Sequence, residues 1–520
     1  MIAAVSHLVR LGHAGFVFAR EGVFALVDPT PLPWPAQSAI KLARLIERPT
    51  SVSTEGRLAA ALTKLGPTYV KLGQFLATRP DVVGTALARD LESLQDKMAP
   101  FPQGEAEAVV QAALGKPLSE LFVSFGPSVA AASIAQVHRA AVATAEDRKT
   151  VAVKVLRPHV ERRFRVDLDA FSYAALRAES LSAEARRLRM IETVNTLRRS
   201  VAIEMDLRLE AAALSEMAEN TKADPDFRVP AVDWDRTAKD VLTLEWIEGT
   251  PLHERATLEA KGFDLKHLAR AVIQTFLRHA LRDGFFHADM HPGNLFVDDA
   301  GQLTFVDFGI MGRLGPKERR FLAEILHGFI TRDYHRTAEV HFEAGYVPSH
   351  HSVENFAQAI RAIGEPIHNR AADEISMAKL LMLLFEVTGL FDMRTRPELL
   401  LLQKTMVVVE GVARSLDPKL DMWTVSEPVV REWMERHLGP AGRIEDAAQG
   451  ASNFLAGVPS LMTRGAVLVE QLDAITRDGL ILAPETVAAI GAAEARRSRR
   501  TVVALWAIAA LLAWVVWLLI

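Results

Sequence analysis

The stretch HADMHPGNLFVDDAGQLTFVDFG, residues 287–309, carries the pattern that decides the fold and the chemistry. Asn294 follows Asp289 by five residues. Asp307 follows Asp289 by eighteen residues and comes directly after the strand-like run LTFV. Eighteen residues suffice for one short hairpin, so both carboxylates can converge on a single metal–phosphate cluster. We therefore predict that Asn294 and Asp307 bind a metal ion, while Asp289 positions water or an acceptor hydroxyl for attack on a phosphate.

A lysine upstream completes this pattern. Lys154 lies in the strand-like run VAVKVL and matches the phosphate-binding lysine of V-A-I-K in protein kinases. The interval from Asp289 to Asn294 is likewise that of the kinase catalytic loop. A buried lysine needs a carboxylate partner to stay charged. For that partner we choose Glu210 over Glu204, which lies nearly two turns earlier on what reads as the same helical segment. The predicted catalytic residues are Asp289, Lys154 and Glu210.

The order of elements along the chain indicates an α+β, protein-kinase-like fold with two lobes. Helical periodicity dominates before Phe122, strand-like runs surround Lys154, and helices follow Asp307. We predict an N-terminal arm with a Pro-rich linker (1–37), a helical extension (38–121), a small lobe with a helical insertion (122–250), a large lobe (251–420), a helical C-terminal region (421–500) and a transmembrane anchor (501–520).

The predicted anchor, TVVALWAIAALLAWVVWLLI, contains no charged residue, proline or glycine. A helix of this length spans roughly 30 Å, which matches the hydrocarbon core of a bilayer. Four arginines between residues 496 and 500 place the body of the protein on the cytoplasmic side. A buried core helix is the alternative, and it is disfavoured because no face is polar. Residues 1–28 lack a secretory-signal pattern and form either a helix on the membrane surface or a packing arm.

Charge and cysteine content exclude several functions. The chain has 60 basic and 64 acidic residues, a net charge of −4, so no basic field for nucleic acid is present. It has no cysteine, which excludes disulfides, thiolate nucleophiles and metal sites built on sulfur. A His-x-Asp-x-His site for zinc or iron, made of His287, Asp289 and His291, is an alternative for the central loop. The spacing to Asn294 and Asp307 favours the kinase-like assignment, in which His287 braces the loop.

Two features of protein kinases are missing. In place of the G-x-G-x-x-G loop over the phosphates, the chain has AAASIAQVH, whose Cβ atoms restrict the backbone and change how closely it can approach the phosphates. No A-P-E triplet follows Asp307 within the predicted large lobe, so the usual platform for a protein substrate is not evident. The predicted nucleotide-contacting residues are Ala130, Ala131, Ala132, Ser133, Lys154, Glu245 and Ile247.

These departures match a known pattern. Lys71-Leu72-Gly73-Gln74 reads K-x-G-Q and Glu204-Met205-Asp206 reads E-x-D. With the alanine-rich loop, VAVKV, HADMHPGN and VDFG, they make the chain resemble the UbiB family of atypical kinase-like proteins, which is linked to coenzyme Q (ubiquinone) biosynthesis. The resemblance runs from about Leu58 to Leu420. The family-motif residues, to which it assigns a regulatory role, are Lys71, Gly73, Gln74, Glu204 and Asp206.

The resemblance implies a kinase fold whose K-x-G-Q helix folds over the place where a protein substrate would lie. On a helix that begins near Pro67, Lys71 and Gln74 share a face. The apolar residues expected to pack inward are Leu72, Phe75 and Leu76. The resemblance further implies ATP and Mg²⁺ as cofactors, slow ATPase rather than ordinary protein kinase activity, and contact with membrane lipids and quinone precursors.

Our leading interpretation is an ATP-dependent enzyme that helps quinone precursors in the membrane reach the enzymes of ubiquinone biosynthesis, which are expected partners. Its expected location is the bacterial inner membrane, with one C-terminal span and the other domains in the cytoplasm. Family members often have two spans, but the earlier apolar run is interrupted by Pro459 and Arg464. The alternatives are a phosphotransferase for a lipid or small molecule, and a scaffold that binds ATP without turnover. A flavin hydroxylase finds no support, because no flavin fingerprint occurs.

Overall fold

The computed structural model describes residues 2–26, 34–48, 56–77, 98–144, 147–366 and 397–439, with residues 83, 87, 90, 91, 94, 387 and 389–393 between these ranges. The chain divides into two compact units, Met1–Trp433 and Met434–Ile520. The predicted anchor and most of the predicted C-terminal helical region lie outside the described residues. Within the described part, no helix is long and apolar enough to cross a membrane.

Four described helices form the N-terminal part of the chain up to residue 77. They are α1 (Ile2–Arg20), α2 (Trp34–Arg44), α3 (Arg57–Leu65) and α4 (Pro67–Ala77). Helices α1 and α4 are both tied to α7 (Val160–Leu181) through the buried Asp167. Nη1 of Arg10 donates to Oδ1 of Asp167 at 2.7 Å, and the Thr68 hydroxyl donates to Oδ2 at 2.8 Å. One buried carboxylate therefore attaches both the N-terminal arm and the helical extension to α7. These partners compensate its charge, which would be costly to bury unpaired.

The predicted small lobe is built on an antiparallel sheet of four strands in the order β1–β2–β3–β5. Its strands are β1 (Ser124–Ala131), β2 (Ala135–Ala143), β3 (Arg148–Leu156) and β5 (Val241–Glu245), and the preceding helices are α5 (Gln103–Leu114) and α6 (Leu118–Leu121). Successive side chains of a strand point to opposite faces. Val151, Val153 and Val155 of β3 pack with α5 in a buried cluster, so Lys154 lies on the opposite face of the sheet.

A helical insertion separates β3 from β5, and it corrects one prediction. Besides α7 it contains α8 (Ala183–Arg187), α9 (Met190–Glu204) and α10 (Leu207–Asn220). The prediction that Glu204 and Glu210 share one helical segment is wrong. Asp206 has an extended backbone (φ −122°, ψ 92°), and its side chain accepts the N–H of Arg208. It is therefore the N-cap of α10 and separates that helix from α9.

The predicted large lobe begins with short strands and continues as helices. The strands here form one sheet in the order β4–β9–β8–β6 and a pair of β10 with β7. The first of them, β4, precedes residue 251 and so comes from the segment predicted as the small lobe. These strands are β4 (Phe227–Arg228), β6 (Thr250–Pro251), β7 (Phe285–His287), β8 (Leu295–Val297), β9 (Leu303–Phe305) and β10 (Met311–Arg313). The helices are α11 (Arg255–Ala260), α12 (Leu265–Arg278), α13 (Pro316–Thr331), α14 (Tyr334–Glu343), α15 (Val353–Gly364) and α16 (Pro397–Leu416). One more described helix, α17 (Met422–Leu438), lies in the predicted C-terminal region.

The hairpin of β8 and β9 positions the central motif. The two strands pair antiparallel, with Leu295 opposite Phe305. Asn294 immediately precedes β8, and Asp307 lies two residues after the end of β9. The N–H of Val306 donates to the carbonyl oxygen of Asn294 at 2.9 Å. The hairpin predicted between Asp289 and Asp307 is therefore confirmed, and it brings Asn294 and Asp307 to the same end of the sheet.

Candidate nucleotide and metal site

Lys154, Glu210 and Asp307 form one cluster of charged contacts. Nζ of Lys154 donates to both carboxylate oxygens of Glu210 at 2.9 Å and to Oδ1 of Asp307 at 2.8 Å. The predicted contact of Lys154 with Glu210 is thus present, and Glu204 has a different partner. The side chains of Lys154 and Glu210 are 15% and 6% exposed, whereas that of Asp307 is 51% exposed. A buried ion pair therefore lies behind a carboxylate that solvent and ligands can reach.

The charges of this cluster support one another. Burial opposes the charge on Lys154, but Asp307 and Glu210 outweigh it and raise the pKa of the ammonium. Lys154 in turn lowers the pKa of Asp307 to about 2, and Lys71 makes a smaller contribution in the same direction. Burial raises the pKa of Glu210, against the attraction of Lys154. The cluster therefore keeps the Lys154 ammonium charged, and a charged ammonium is the group that can bind a phosphate oxygen.

The turn at Asp307 has an unusual backbone. Its φ of 62° lies in the left-handed region, which aspartate adopts more readily than most residues other than glycine. The next side chain, Phe308, is buried and packs edge-on against the His287 ring, with centroids 5.1 Å apart. The backbone of Phe308 also hydrogen-bonds to Glu210. These contacts hold the turn in the conformation that brings the Asp307 carboxylate to Lys154.

His287 connects the two halves of the central motif. Its Nδ1 accepts the N–H of Asp289 at 3.1 Å, and its Nε2 donates to the carbonyl oxygen of Val306 at 3.3 Å. Burial lowers the pKa of His287, which agrees with a neutral ring that donates through one nitrogen and accepts through the other. The ring thus braces the backbone beside Asp289 and Asp307.

The alternative His-x-Asp-x-His metal site is not formed. The Nδ1 of His291 accepts the N–H of Gly293 at 3.2 Å, so this ring caps the short turn before Asn294. Among the residues that the structure describes, His287, Asp289 and His291 do not gather into a group able to hold an ion. The side-chain nitrogen of Asn294 donates to the backbone oxygen of Asp289 at 3.1 Å, which leaves the amide oxygen as the atom suited to a metal.

The alanine-rich segment forms the tight connection between β1 and β2. Ala130 and Ala131 pair with β2, and Ser133 is fully buried. The Arg157 guanidinium donates to the carbonyl oxygen of Ala132 at 2.8 and 3.1 Å. The same group donates to the backbone oxygen of Ala99 at 2.8 Å. Our sequence reasoning missed Arg157, although its place immediately after β3 was a usable signal. The connection is held in position by this arginine rather than left free as a glycine loop would be.

Glu245 and Ile247 lie at the end of β5. The Glu245 carboxylate accepts from Nη1 of Arg228 at 3.1 Å and from the N–H of Ala231 at 3.2 Å. Ile247 follows the strand and is half-buried. The Glu245 side chain is therefore engaged within the protein.

The K-x-G-Q motif lies on α4, which begins at Pro67 as predicted. Nζ of Lys71 contacts the Glu204 carboxylate at 2.5 Å, which links α4 to the end of α9. Gly73 is buried, and a Cβ there would clash with side chains of Leu62 and Leu94. Gln74, one turn after Lys71, is half-buried. Asp206 pairs with Arg208, which lowers the pKa of that carboxyl.

The buried face of α4 differs from the predicted one. Its buried residues include Tyr69, Val70 and Gly73. The residues predicted to pack inward are only half-buried; they are Leu72, Phe75 and Leu76. The Tyr69 ring packs edge-on against Phe171 of α7, with centroids 5.1 Å apart. Packing against α7 therefore decides which side of α4 faces the core.

Comparison with known proteins agrees with the kinase-like fold. Residues 93–341 match the ABC1 atypical kinase-like domain, and residues 360–421 match the UbiB helical domain. A Marinobacter nauticus protein named probable protein kinase UbiB is 38% identical over 464 residues, which cover 88% of this chain and 84% of the relative. A protein of the same name from Pseudomonas fluorescens is 37% identical over 447 residues, which cover 84% and 83%.

The chain is also similar to a Mycobacterium tuberculosis protein whose structure was solved in complex with erythromycin, with 24% sequence identity. The similar region covers 69% of this chain and 90% of that protein, and the TM-score is 0.48. The domain matches and the curated relatives instead establish the relationship. The kinase-like fold predicted from the motif order is thereby confirmed, and the chain belongs to the UbiB family of atypical kinase-like proteins.

Proposed function

We propose that this chain is an ATP- and Mg²⁺-dependent kinase-like enzyme that supports ubiquinone biosynthesis at the bacterial inner membrane, by using ATP hydrolysis to give access to quinone precursors. The observation that carries the proposal is the contact of one buried ammonium, Lys154, with both Glu210 and Asp307. The kinase-like domain match and the UbiB family membership support the ATP chemistry and the link to ubiquinone.

In this proposal Lys154 binds the α- and β-phosphates of ATP. Glu210 keeps the ammonium charged and oriented through its two hydrogen bonds. Asp307 shares the same ammonium in the described structure, and its exposed carboxylate is the group that a metal ion would reach. ATP entry therefore replaces the Lys154–Asp307 contact with contacts to phosphate and metal.

The donor set at the end of the β8–β9 hairpin fits Mg²⁺. Asn294 offers an amide oxygen and Asp307 offers a carboxylate, and both are hard oxygen ligands. Bound Mg²⁺ would neutralise the charge of the phosphates. Asp289 orients the attacking water or hydroxyl and accepts its proton. Its backbone is held on one side by His287 and on the other by Asn294.

The remaining nucleotide contacts are proposed along β1 and β5. The connection formed by residues 130–133 covers the phosphates, held from behind by Arg157. The backbone carbonyl of Glu245 and the backbone N–H of Ile247 bind the adenine edge. In the K-x-G-Q and E-x-D motifs, the Lys71–Glu204 ion pair holds α4 near Asp307, which supports a regulatory role for these residues.

The N-terminal helices support the proposed contact with membrane lipids. Neither α1 nor α2 contains an aspartate or glutamate. Together they expose large apolar side chains, which are Val5, Leu8, Val9, Phe16, Trp34 and Leu42. Lys41 and Arg44 are exposed in the last turn of α2. An apolar surface edged by basic groups suits the headgroup region of an anionic bilayer. The proposed single span, residues 501–520, would anchor the chain with its other domains in the cytoplasm.

The test is phosphate release from MgATP by the purified full chain, in detergent and in vesicles of phosphatidylethanolamine and phosphatidylglycerol. Lys154→Met and Asp307→Asn are measured beside Asp299→Asn, a matched change in the exposed turn of the β8–β9 hairpin. We expect slow release that rises in vesicles. Loss of a phosphate or metal contact should lower the rate by about a hundredfold, because such contacts supply several kcal/mol to the transition state. Asp299→Asn should match the wild type.

The other outcomes identify the alternatives. Equal release by the wild type, Lys154→Met and Asp307→Asn, with nucleotide still bound, would reject hydrolysis and leave the scaffold interpretation. Labelled phosphate on a lipid or a small molecule would instead show a phosphotransferase.

A further inference from the structure

Two adjacent histidines and one aspartate converge outside the ATP site. His350 and His351 lie in the loop between α14 and α15, and Asp392 lies 41 residues after His351. The Nε2 atoms of His351 and His350 are 3.2 and 3.7 Å from Oδ2 of Asp392. The three ligand atoms lie within 4.8 Å of one another, which is the one such group in the part of the chain that the structure describes.

The fold holds both chain segments in place. The His351 ring is 20% exposed and packs on Phe391, with centroids 5.2 Å apart. Phe391 in turn packs edge-on against Phe356 of α15, in a buried cluster that also contains Tyr334. Asp392 follows directly, with a left-handed backbone (φ 48°). The hydrophobic core therefore brings the histidine loop and the aspartate together, and their meeting does not depend on their own charges.

The distances match those between the ligands of a tetrahedral ion. Zinc bonds of about 2.0–2.1 Å place neighbouring ligand atoms roughly 3.3 Å apart. The observed 3.2 and 3.7 Å differ from this by a few tenths of an ångström. A hydrogen bond accounts for His351, but 3.7 Å is too long for one to His350. A shared ion explains why both imidazoles turn Nε2 toward the same oxygen.

We propose that His350, His351 and Asp392 bind a divalent ion of the zinc class, with a fourth position open to water or a small ligand. Two imidazoles and one carboxylate are a ligand set that zinc accepts when a coordination position stays open. His351 also lines a shallow, open surface depression with Asn355 and Leu390, so a small ligand could approach a bound ion from this side. The ion would join the loop before α15 to the turn that contains Asp392.

The chain offers a matched control for an ordinary surface pair. Nδ1 of His335 lies 3.4 Å from a carboxylate oxygen of Glu339, and both side chains are exposed. This pair has one imidazole, so it cannot supply three ligands. His335→Ala therefore removes a histidine–carboxylate contact without removing the proposed site.

The test uses the purified full chain, freed of metal and without nucleotide, titrated with Co²⁺ and then with Zn²⁺ in competition with a chromophoric chelator. Tetrahedral Co²⁺ absorbs strongly in the visible range, and the absence of cysteine removes any thiolate contribution. We expect one equivalent to bind to the wild type and to His335→Ala. The Zn²⁺ affinity should fall at least about tenfold in Asp392→Asn and His350→Ala. Removing a residue that only hydrogen-bonds to a metal ligand already lowers affinity by about that factor, and these variants remove a ligand itself.

A second measurement guards against misfolding. Zn²⁺ should raise the unfolding temperature of the wild type and of His335→Ala, because it binds the folded state. The metal-free Asp392→Asn chain should unfold at the wild-type temperature, since this side chain is exposed, and Zn²⁺ should not raise it. Equal Zn²⁺ affinity in Asp392→Asn, His350→Ala and the wild type, or no tetrahedral Co²⁺ spectrum, would overturn the proposal. These results are independent of ATP hydrolysis.

Discussion

Lys154→Met tests the energetics of the charged cluster most directly. The substitution removes the cation that lies between Glu210 and Asp307 and leaves an unbranched side chain of similar length. Glu210, which is 6% exposed, then keeps its charge with no cation in contact. Asp307 is half exposed and regains hydration, so it adds little to the loss.

The expected magnitude follows from these exposures. Removing one partner of a buried ion pair costs about 3–5 kcal/mol. Because only Glu210 loses a buried contact of this kind, we take the lower end and expect the free energy of unfolding to fall by about 3 kcal/mol near neutral pH. For large domains each kcal/mol shifts the midpoint by about 2–4 °C, so Tm should fall by roughly 6–12 °C.

The loss should depend on pH in a defined direction. Burial and the nearby Asp307 raise the pKa of Glu210, and Lys154→Met removes the opposing attraction. The folded variant then binds a proton at Glu210 more readily than the unfolded chain does. Protonation of Glu210 therefore stabilises the folded variant at low pH. This contribution to the free energy of unfolding is lost as the pH rises through the raised pKa of Glu210. We expect a smaller destabilisation at about pH 5 than near neutral pH.

The assay is urea and thermal unfolding of the full chain, followed by tryptophan fluorescence. Lys149→Met, an exposed lysine on the same strand, is the matched control. The double variant Lys154→Met with Glu210→Gln should recover most of the loss, because no buried charge is then unpaired. Wild-type stability in Lys154→Met, or no recovery in the double variant, would refute the reasoning.

Three further predictions concern other parts of the site. Gly73→Ala should destabilise the chain by about 1–3 kcal/mol, because the new Cβ overlaps leucine side chains. Gly12→Ala, in open space on α1, should instead stabilise the chain by about 0.5–1 kcal/mol. Urea midpoints of the two variants that shift in the same direction would contradict this prediction. Lys71→Ala should break the ion pair with Glu204 and speed amide hydrogen exchange in α4, while Lys71→Arg should not; unchanged exchange in Lys71→Ala would count against the link. Burial lowers the pKa of His287, so the unfolded chain takes up the proton first and wild-type stability should fall as the pH drops below about 6.5. In His287→Gln this acid loss, measured by urea unfolding at several pH values, should be smaller, and an equal loss would show that other groups cause it.

Much of the site was predictable because it depends on local geometry. The alternation of β3 places Lys154 opposite the valines of the core, since the side-chain period of a strand is two. The spacing of Asp289 and Asp307 predicts the β8–β9 hairpin, and the structure contains it. His287 could be predicted as a brace because Asp289, one of its hydrogen-bond partners, lies two residues away in the same loop. Its other partner, Val306, is brought close by the β8–β9 hairpin.

Contacts between distant segments were harder to predict. Glu204 and Glu210 read as one helical run, and the N-cap at Asp206 divides that run into two helices. The two glutamates then meet different lysines, Lys71 and Lys154. A capping residue inside a periodic run is a weak signal, because aspartate also occurs on solvated helix faces.

The sequence by itself determined the family and the kinase-like order of elements, and it predicted the contact of Lys154 with Glu210 that the structure contains. Only the tertiary structure decided which face of α4 is buried, that Arg157 holds the alanine-rich connection, and that His351 meets Asp392 across 41 residues. Periodicity and motif spacing report neighbours along one element. Which elements pack together depends on how the whole core fills its volume, and that packing decides the contacts between distant residues.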